Sequence, residues 1–250
     1  MSVKTFGANR KSRLFFAAFL GAALLVAALT IGSANNASAE PSVRAKKTKV
    51  LGAIGKLPEP LCPLDCSGLA IVSGFQAEIN GIGNPYRIPF NGHVTKWKIS
   101  LGSVTKSQRT FFEERFGRKP KAGISMLKPV RVDGKKQFKL MKRSPIEGLN
   151  KFLGDVASIS LKRPIKVKKG WYVALTVPTW APALARVKTD ATPPKPDTSY
   201  SWRAGRDRDT CMQEPNMKNS DPQMEPGSKR AYGCRFSAEQ LLYRVKVTNR

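Results

Sequence analysis

From residue 62 onward, apolar and polar positions alternate with a period of two, and the alternation is broken by clusters of Gly, Pro, Asn and Asp. A two-residue period puts one face of a strand on a core and the other in water, so the pattern predicts strands. Phe75, Ala77 and Ile79 alternate with polar neighbours before the turn-rich stretch NGIGNPYRIPFNG at 80–92. Thr95, Trp97, Ile99 and Leu101 then alternate with Val94, Lys96, Lys98 and Ser100. Shorter segments follow around Ile124–Leu127 and at Phe138 and Leu140. Ala157, Ile159 and Leu161 lead to Ile165 and Val167, and Lys169-Gly170 turns the chain into Trp171, Val173, Leu175 and Val177, the clearest run of all. Leu241, Tyr243, Val245 and Val247 make the last strand. Helical periodicity is confined to single turns near 111–116 or 146–153. Roughly eight strands without intervening helices predict an all-β domain, an antiparallel β-sandwich of jelly-roll or immunoglobulin-like type.

The N-terminus reads differently. Residues 1–13 carry Lys4, Arg10, Lys11 and Arg13 and no acid, an apolar run fills 14–31, and Ala37-Ser38-Ala39 precedes Glu40. These are the parts of a secretory signal peptide over residues 1–39, cleaved after Ala39. The alternative is an uncleaved anchor, because the apolar run just reaches spanning length. Either way the basic flank stays inside and residues 40–250 face outward, so the protein is expected to be secreted or envelope-associated. Residues 40–61, with their basic cluster, Gly and Pro, read as a linker, and 62–250 as the sandwich domain. TDATPPKPD at 189–197 reads as a Pro-rich loop.

The four cysteines, Cys62, Cys66, Cys211 and Cys234, are an even set in an exported chain and read first as two disulfides. Pairing between sequence neighbours gives Cys62–Cys66 and Cys211–Cys234; pairing the start of the domain to its end is the alternative. Closing the polar loop between Cys211 and Cys234 would stabilise by about 3 kcal/mol through the unfolded state. Neither pair has the C-x-x-C spacing of a zinc site, and a single histidine excludes His-rich zinc sites and the HExxH helix. No metal or cofactor is expected.

Three stretches, IPFNGHVTKWKIS (88–100), RPIKVKKGWYVALTVP (163–178) and the terminal QLLYRVKV (240–247) after a Cys…Cys segment, make the chain resemble a group of exported β-sandwich proteins of high-G+C bacteria to which no activity is assigned. The resemblance spans about residues 68–247 and rests on turn and core features. It implies a fold and an extracellular address, and no site. Trp171 stands where the group has an acidic or small residue after the central turn glycine, and the basic content here is higher.

Charge supplies the functional reading. The chain has 44 Lys and Arg against 17 Asp and Glu, a net +27 with pI near 10.4. Without residues 1–39 it keeps 40 cations and all 17 acids, a net +23. Solubility needs only a few charges, so the excess points to an anionic partner. If Trp97, Phe138, Ile165, Tyr243 and their in-register neighbours face inward, Lys96, Lys98, Lys139, Lys166, Lys168, Arg244 and Lys246 face out. Should those strands share a sheet, they form one basic face able to attract an acidic glycan, a teichoic-type polymer or anionic lipid. The alternative is a solvated face whose lysines discourage edge pairing. Nucleic acid would bind only through phosphates, since no helix-turn-helix, finger or RNP-like pair is present. The membrane would be met only through 14–31, if uncleaved.

Trp180, Tyr200 and Trp202 fall in expected loops, where they would either stack on sugar rings or cap the core; Trp97 and Trp171 alternate with core positions. Catalytic signals are sparse. His93 begins a strand, no G-x-S-x-G occurs, and Ser103–Lys106 matches S-x-x-K without its K-T-G partner. Glu113 and Glu114 are adjacent and would diverge on a strand. Asp207 and Asp209 lack the acidic density of an EF-type loop, and Gly81-Ile-Gly83 precedes Asn-Pro, a turn and not a phosphate cradle. The expected function is non-catalytic binding of an anionic envelope polymer. The alternatives are a jelly-roll carbohydrate-active enzyme using His93 with Tyr and Lys residues, or a purely structural envelope component.

Overall fold

A computed structural model describes residues 45–187, 198–204 and 221–249, all within one compact unit spanning Arg44–Arg250. Its strands, in order, are β1 (Thr48–Leu51), β2 (Leu69–Ile79), β3 (Ile82–Gly83), β4 (Gly92–Ser100), β5 (Lys121–Val132), β6 (Lys135–Arg143), β7 (Glu147–Gly148), β8 (Val156–Val167), β9 (Tyr172–Ala181), β10 (Leu184–Arg186), β11 (Tyr200–Arg203), β12 (Lys229–Arg230), β13 (Cys234–Ser237), β14 (Glu239–Leu241) and β15 (Tyr243–Thr248). Among the described residues one α-helix, α1 (Lys106–Phe116), joins β4 to β5, and a short 3-10 turn covers Asn150–Phe152. A four-stranded sheet has the order β1-β15-β4-β8. A nine-stranded sheet runs β12-β6-β5-β9-β2-β11-β13, with β3 on β2 and β7 on β5. β10 and β14 form a separate pair. All strand pairings between these elements are antiparallel. The all-β antiparallel sandwich is the expected architecture.

The main core lies between the two sheets. Trp97, Ile99, Tyr243, Val245 and Val247 of the smaller sheet meet Ile124, Met126, Val173, Leu175 and Val177 of the larger one. Burying side chains of this size stabilises by about 1.5–3 kcal/mol each. Two tyrosines tie the layers. Tyr86, in the turn before β4, stacks on Tyr243 with ring centroids 4.1 Å apart, and its hydroxyl donates to the Tyr243 carbonyl. The Tyr243 hydroxyl crosses to β9 and donates to the Val173 carbonyl at 2.8 Å. Burial pushes both phenols far up, so they stay neutral donors.

The nine-stranded sheet carries a second apolar cluster on its other face, where Phe75, Phe138, Tyr172 and Tyr232 contact one another through their rings. Beside it the Arg203–Glu239 pair closes at 2.7 Å; burial brings the Arg203 pKa down to about 10, against the pull of Glu239, and it remains charged.

Four local features depart from expectation. The stretch read as linker contributes β1, paired in register with β15, and buries Leu51. The phase of β4 changes at a bulge between Val94 and Lys96, so Val94 is buried and Thr95 is not. α1 runs 11 residues instead of one turn. Only Phe112 of it is buried, so it shows no amphipathic stripe; a capping box between Thr105 and Gln108 starts it. Trp180 is fully buried, stacked on Phe112, with its indole N–H donating to the Gly117 carbonyl at 2.9 Å. It is a core residue and cannot be a sugar platform.

Cys62 and Cys66 are bridged, as the local pairing predicts. Cys211, residues 14–31 and the 189–197 stretch lie outside the described residues, and among those described no helix is long and apolar enough to cross a membrane. Tyr243→Phe is expected to lower unfolding free energy by about 1–2 kcal/mol, since it leaves the Val173 carbonyl without its cross-sheet donor. Urea unfolding checks this, and an unchanged midpoint would contradict it.

Candidate functional site

Trp97 points into the core, so Lys96 and Lys98 on either side of it point out of β4. On β15, Tyr243, Val245 and Val247 point in, and Arg244 and Lys246 point out. The register then sets Lys96 opposite Lys246 and Lys98 opposite Arg244. Directly opposed side chains in an antiparallel pair stand about 5 Å apart, and like charges there are destabilising. The other neighbours of Lys96 and Lys98 are Ser160 and Ser158 of β8.

The four strands of this sheet contain Lys49, Lys96, Lys98, Lys162, Arg163, Lys166, Arg244 and Lys246 and no Asp or Glu. Ion pairs among the described residues lie elsewhere, at Arg109–Glu113, Arg186–Asp65 and Arg203–Glu239. Arg244 is held in place by donating to the Gly55 carbonyl at 2.7 Å, while its Nε is buried without a partner. Between Ser160 and Ile165 of β8, four residues lie against Thr95 alone on β4; this bulge carries the exposed Lys162 and Arg163.

Lys166 follows the bulge and lies opposite His93; Lys168 comes just after the strand. Both line a cleft of about 680 Å³ at the end of the sheet, together with Lys46, Lys47, Phe90, Asn91, His93 and Asn249. Among the described residues its lining contains no Tyr, Arg or carboxylate, and the ionisable neighbours of His93 there are lysines.

Lys139 is not on this face. It sits on β6 of the nine-stranded sheet, opposite Lys128 of β5 and Lys229 of β12, and belongs to a separate basic row. The expected single surface is therefore two patches. Trp202 and Tyr200, half-buried and edge-to-face at 5.6 Å, do line a groove of about 590 Å³ with Phe138, Tyr172, Tyr232 and Glu78. There the Tyr172 hydroxyl donates to Asn84 Oδ1 at 2.8 Å, and burial raises its pKa although Arg87 opposes this.

Glu113 and Glu114 fall on α1, where Glu113 lies 3.7 Å from Arg109. Gly81 turns β2 into β3 with φ of 78°. Asp207 and Asp209 lie outside the described residues. No group of His, Cys, Asp or Glu that could hold a metal ion occurs among the described residues.

Sequence reasoning missed Lys162, Arg163 and the cleft residues Lys46 and Lys47. The first two protrude from a bulge that only pairing reveals, and the last two fall in the stretch that reads as a linker. No protein-family model, curated protein or solved structure matches the chain.

Lys98→Thr with Lys246→Thr removes one cation from each opposed pair. The double variant should be more stable than the parent by about 0.4–2 kcal/mol at low ionic strength, with the gain shrinking as salt screens the charges. Thermal unfolding at two sodium chloride concentrations measures it; a double variant less stable than the parent at low salt would contradict the opposed-charge geometry.

Proposed function

We propose that this is an exported binding protein that attracts an anionic polymer of the cell envelope, such as a teichoic-type polymer or an acidic glycan, to the outer face of its four-stranded sheet. The observation that carries the reading is the setting of Lys96 against Lys246 and Lys98 against Arg244, in a sheet without a single acid. An arrangement that costs folding energy in the free protein gains energy when a polyanion lies across it. Strands about 4.8 Å apart, with outward residues about 7 Å apart along each, present a dense grid of charge. Such a grid suits a repeating polyanion better than a single small acid, and binding to it releases counterions, which makes it salt-dependent.

Residues 40–250 should co-sediment with purified cell envelopes, with binding that falls steeply as salt rises. Lys96→Ser, Lys98→Ser and Lys246→Ser together should weaken binding at low salt by about tenfold or more and flatten its salt dependence. Binding that does not respond to salt would overturn the reading and direct attention to the Tyr200–Trp202 groove and a neutral glycan. Absence of sedimentation at any salt would overturn envelope binding altogether.

A further inference from the structure

The cleft at the end of the basic sheet has chemistry of its own. Among the described residues its charged groups are lysines, Lys46 and Lys47 from the segment entering β1 and Lys166 and Lys168 from the end of β8. Lysine ammoniums are compact point charges that serve as phosphate ligands when several converge on one group. Asn91 adds a donor, because its Oδ1 already accepts from the Lys169 N–H at 2.8 Å, which leaves its amide nitrogen available. His93 lines the wall of the cleft, and its Nδ1 is shielded from solvent without a hydrogen-bond partner. Gly92 keeps the wall tight, since a Cβ there would overlap the Thr248 carbonyl.

We propose that this cleft is a phosphate-binding subsite, in which the lysines, Asn91 and His93 surround one phosphoryl group from several sides. The inference rests on the basic-face reading and names where on that face one unit of the polymer is held. The volume, about 680 Å³, greatly exceeds a lone phosphate, and half-buried Phe90 offers an apolar surface to the group that carries it. The ligand class is therefore a phosphate borne on a larger molecule.

His93 is the only histidine in the chain, so its ring resonances report on the cleft without ambiguity. Full-length mature protein without a histidine tag would be titrated with inorganic phosphate at constant ionic strength and pH. A saturable shift of the His93 ring signals is expected, with neither chloride nor acetate producing one. Lys166→Ser with Lys168→Ser should weaken the response at least tenfold. Methyl phosphate and dimethyl phosphate distinguish a terminal monoester from a backbone diester, and saturable binding of either supports the site.

A non-saturable drift shared with chloride, or full binding by the lysine double variant, would overturn it. The sheet-face variant Lys96→Ser, Lys98→Ser, Lys246→Ser should keep the phosphate response while losing envelope retention. A missing His93 response with intact envelope binding thus removes only this subsite, and lost envelope binding with an intact response removes only the polymer reading.

Discussion

Trp97 can enter the core only if Lys96 and Lys98 stand on the opposite side of the same sheet. The same coupling acts on β15, where burying Tyr243 and Val245 puts Arg244 and Lys246 outside. Because β15 pairs directly with β4, the inner contacts that assemble the sandwich and the outer contacts between cations are fixed by one register. A slip of one residue in either strand would relieve the charge opposition and would also turn that strand's apolar set, Trp97 on β4 or Tyr243 and Val245 on β15, into water. The apolar side decides the outcome: each buried large side chain stabilises by about 1.5–3 kcal/mol, against about 0.2–1 kcal/mol lost per opposed like pair.

Folding alone does not require those cations. β8 meets the same outer surface with Ser158 and Ser160, directly beside Lys98 and Lys96, and small neutral residues serve there without repulsion. The opposed cations therefore add nothing to the core and subtract from stability. Their effect is electrostatic, a field concentrated over one sheet and ending in the lysine-lined cleft around His93.

How much of this was legible depends on whether a feature is local. Alternation along β4, β9 and β15 is written in the sequence, and with it the outward direction of Lys96, Lys98, Lys166, Arg244 and Lys246. Which strands share a sheet is a long-range fact, and Lys139 shows the difference: its own alternation is regular, yet its strand pairs with β5 and β12 in the other sheet. The bulge that puts Val94 inside and Thr95 outside depends on the extra residues of β8, which β4 alone cannot reveal. The sequence around Trp180 reads as a loop because its partner Phe112 sits on a helix longer than the single turn the pattern predicts, and α1 itself rests on a cap and not on a stripe. β1 was hidden for the opposite reason, since four residues among lysines and glycines gain their strand only by pairing with the end of the chain.

The proposed function requires that placement of charge, and not net charge, binds the polymer. It is tested most directly by comparing two variants of equal charge. One carries Lys96→Ser, Lys98→Ser and Lys246→Ser on the four-stranded sheet; the other carries Lys128→Ser, Lys139→Ser and Lys229→Ser in the separate row on the nine-stranded sheet. Envelope retention at low salt should collapse in the first and remain close to the parent in the second. Equal loss in both would mean that the protein binds through its overall charge, and would contradict a dedicated face.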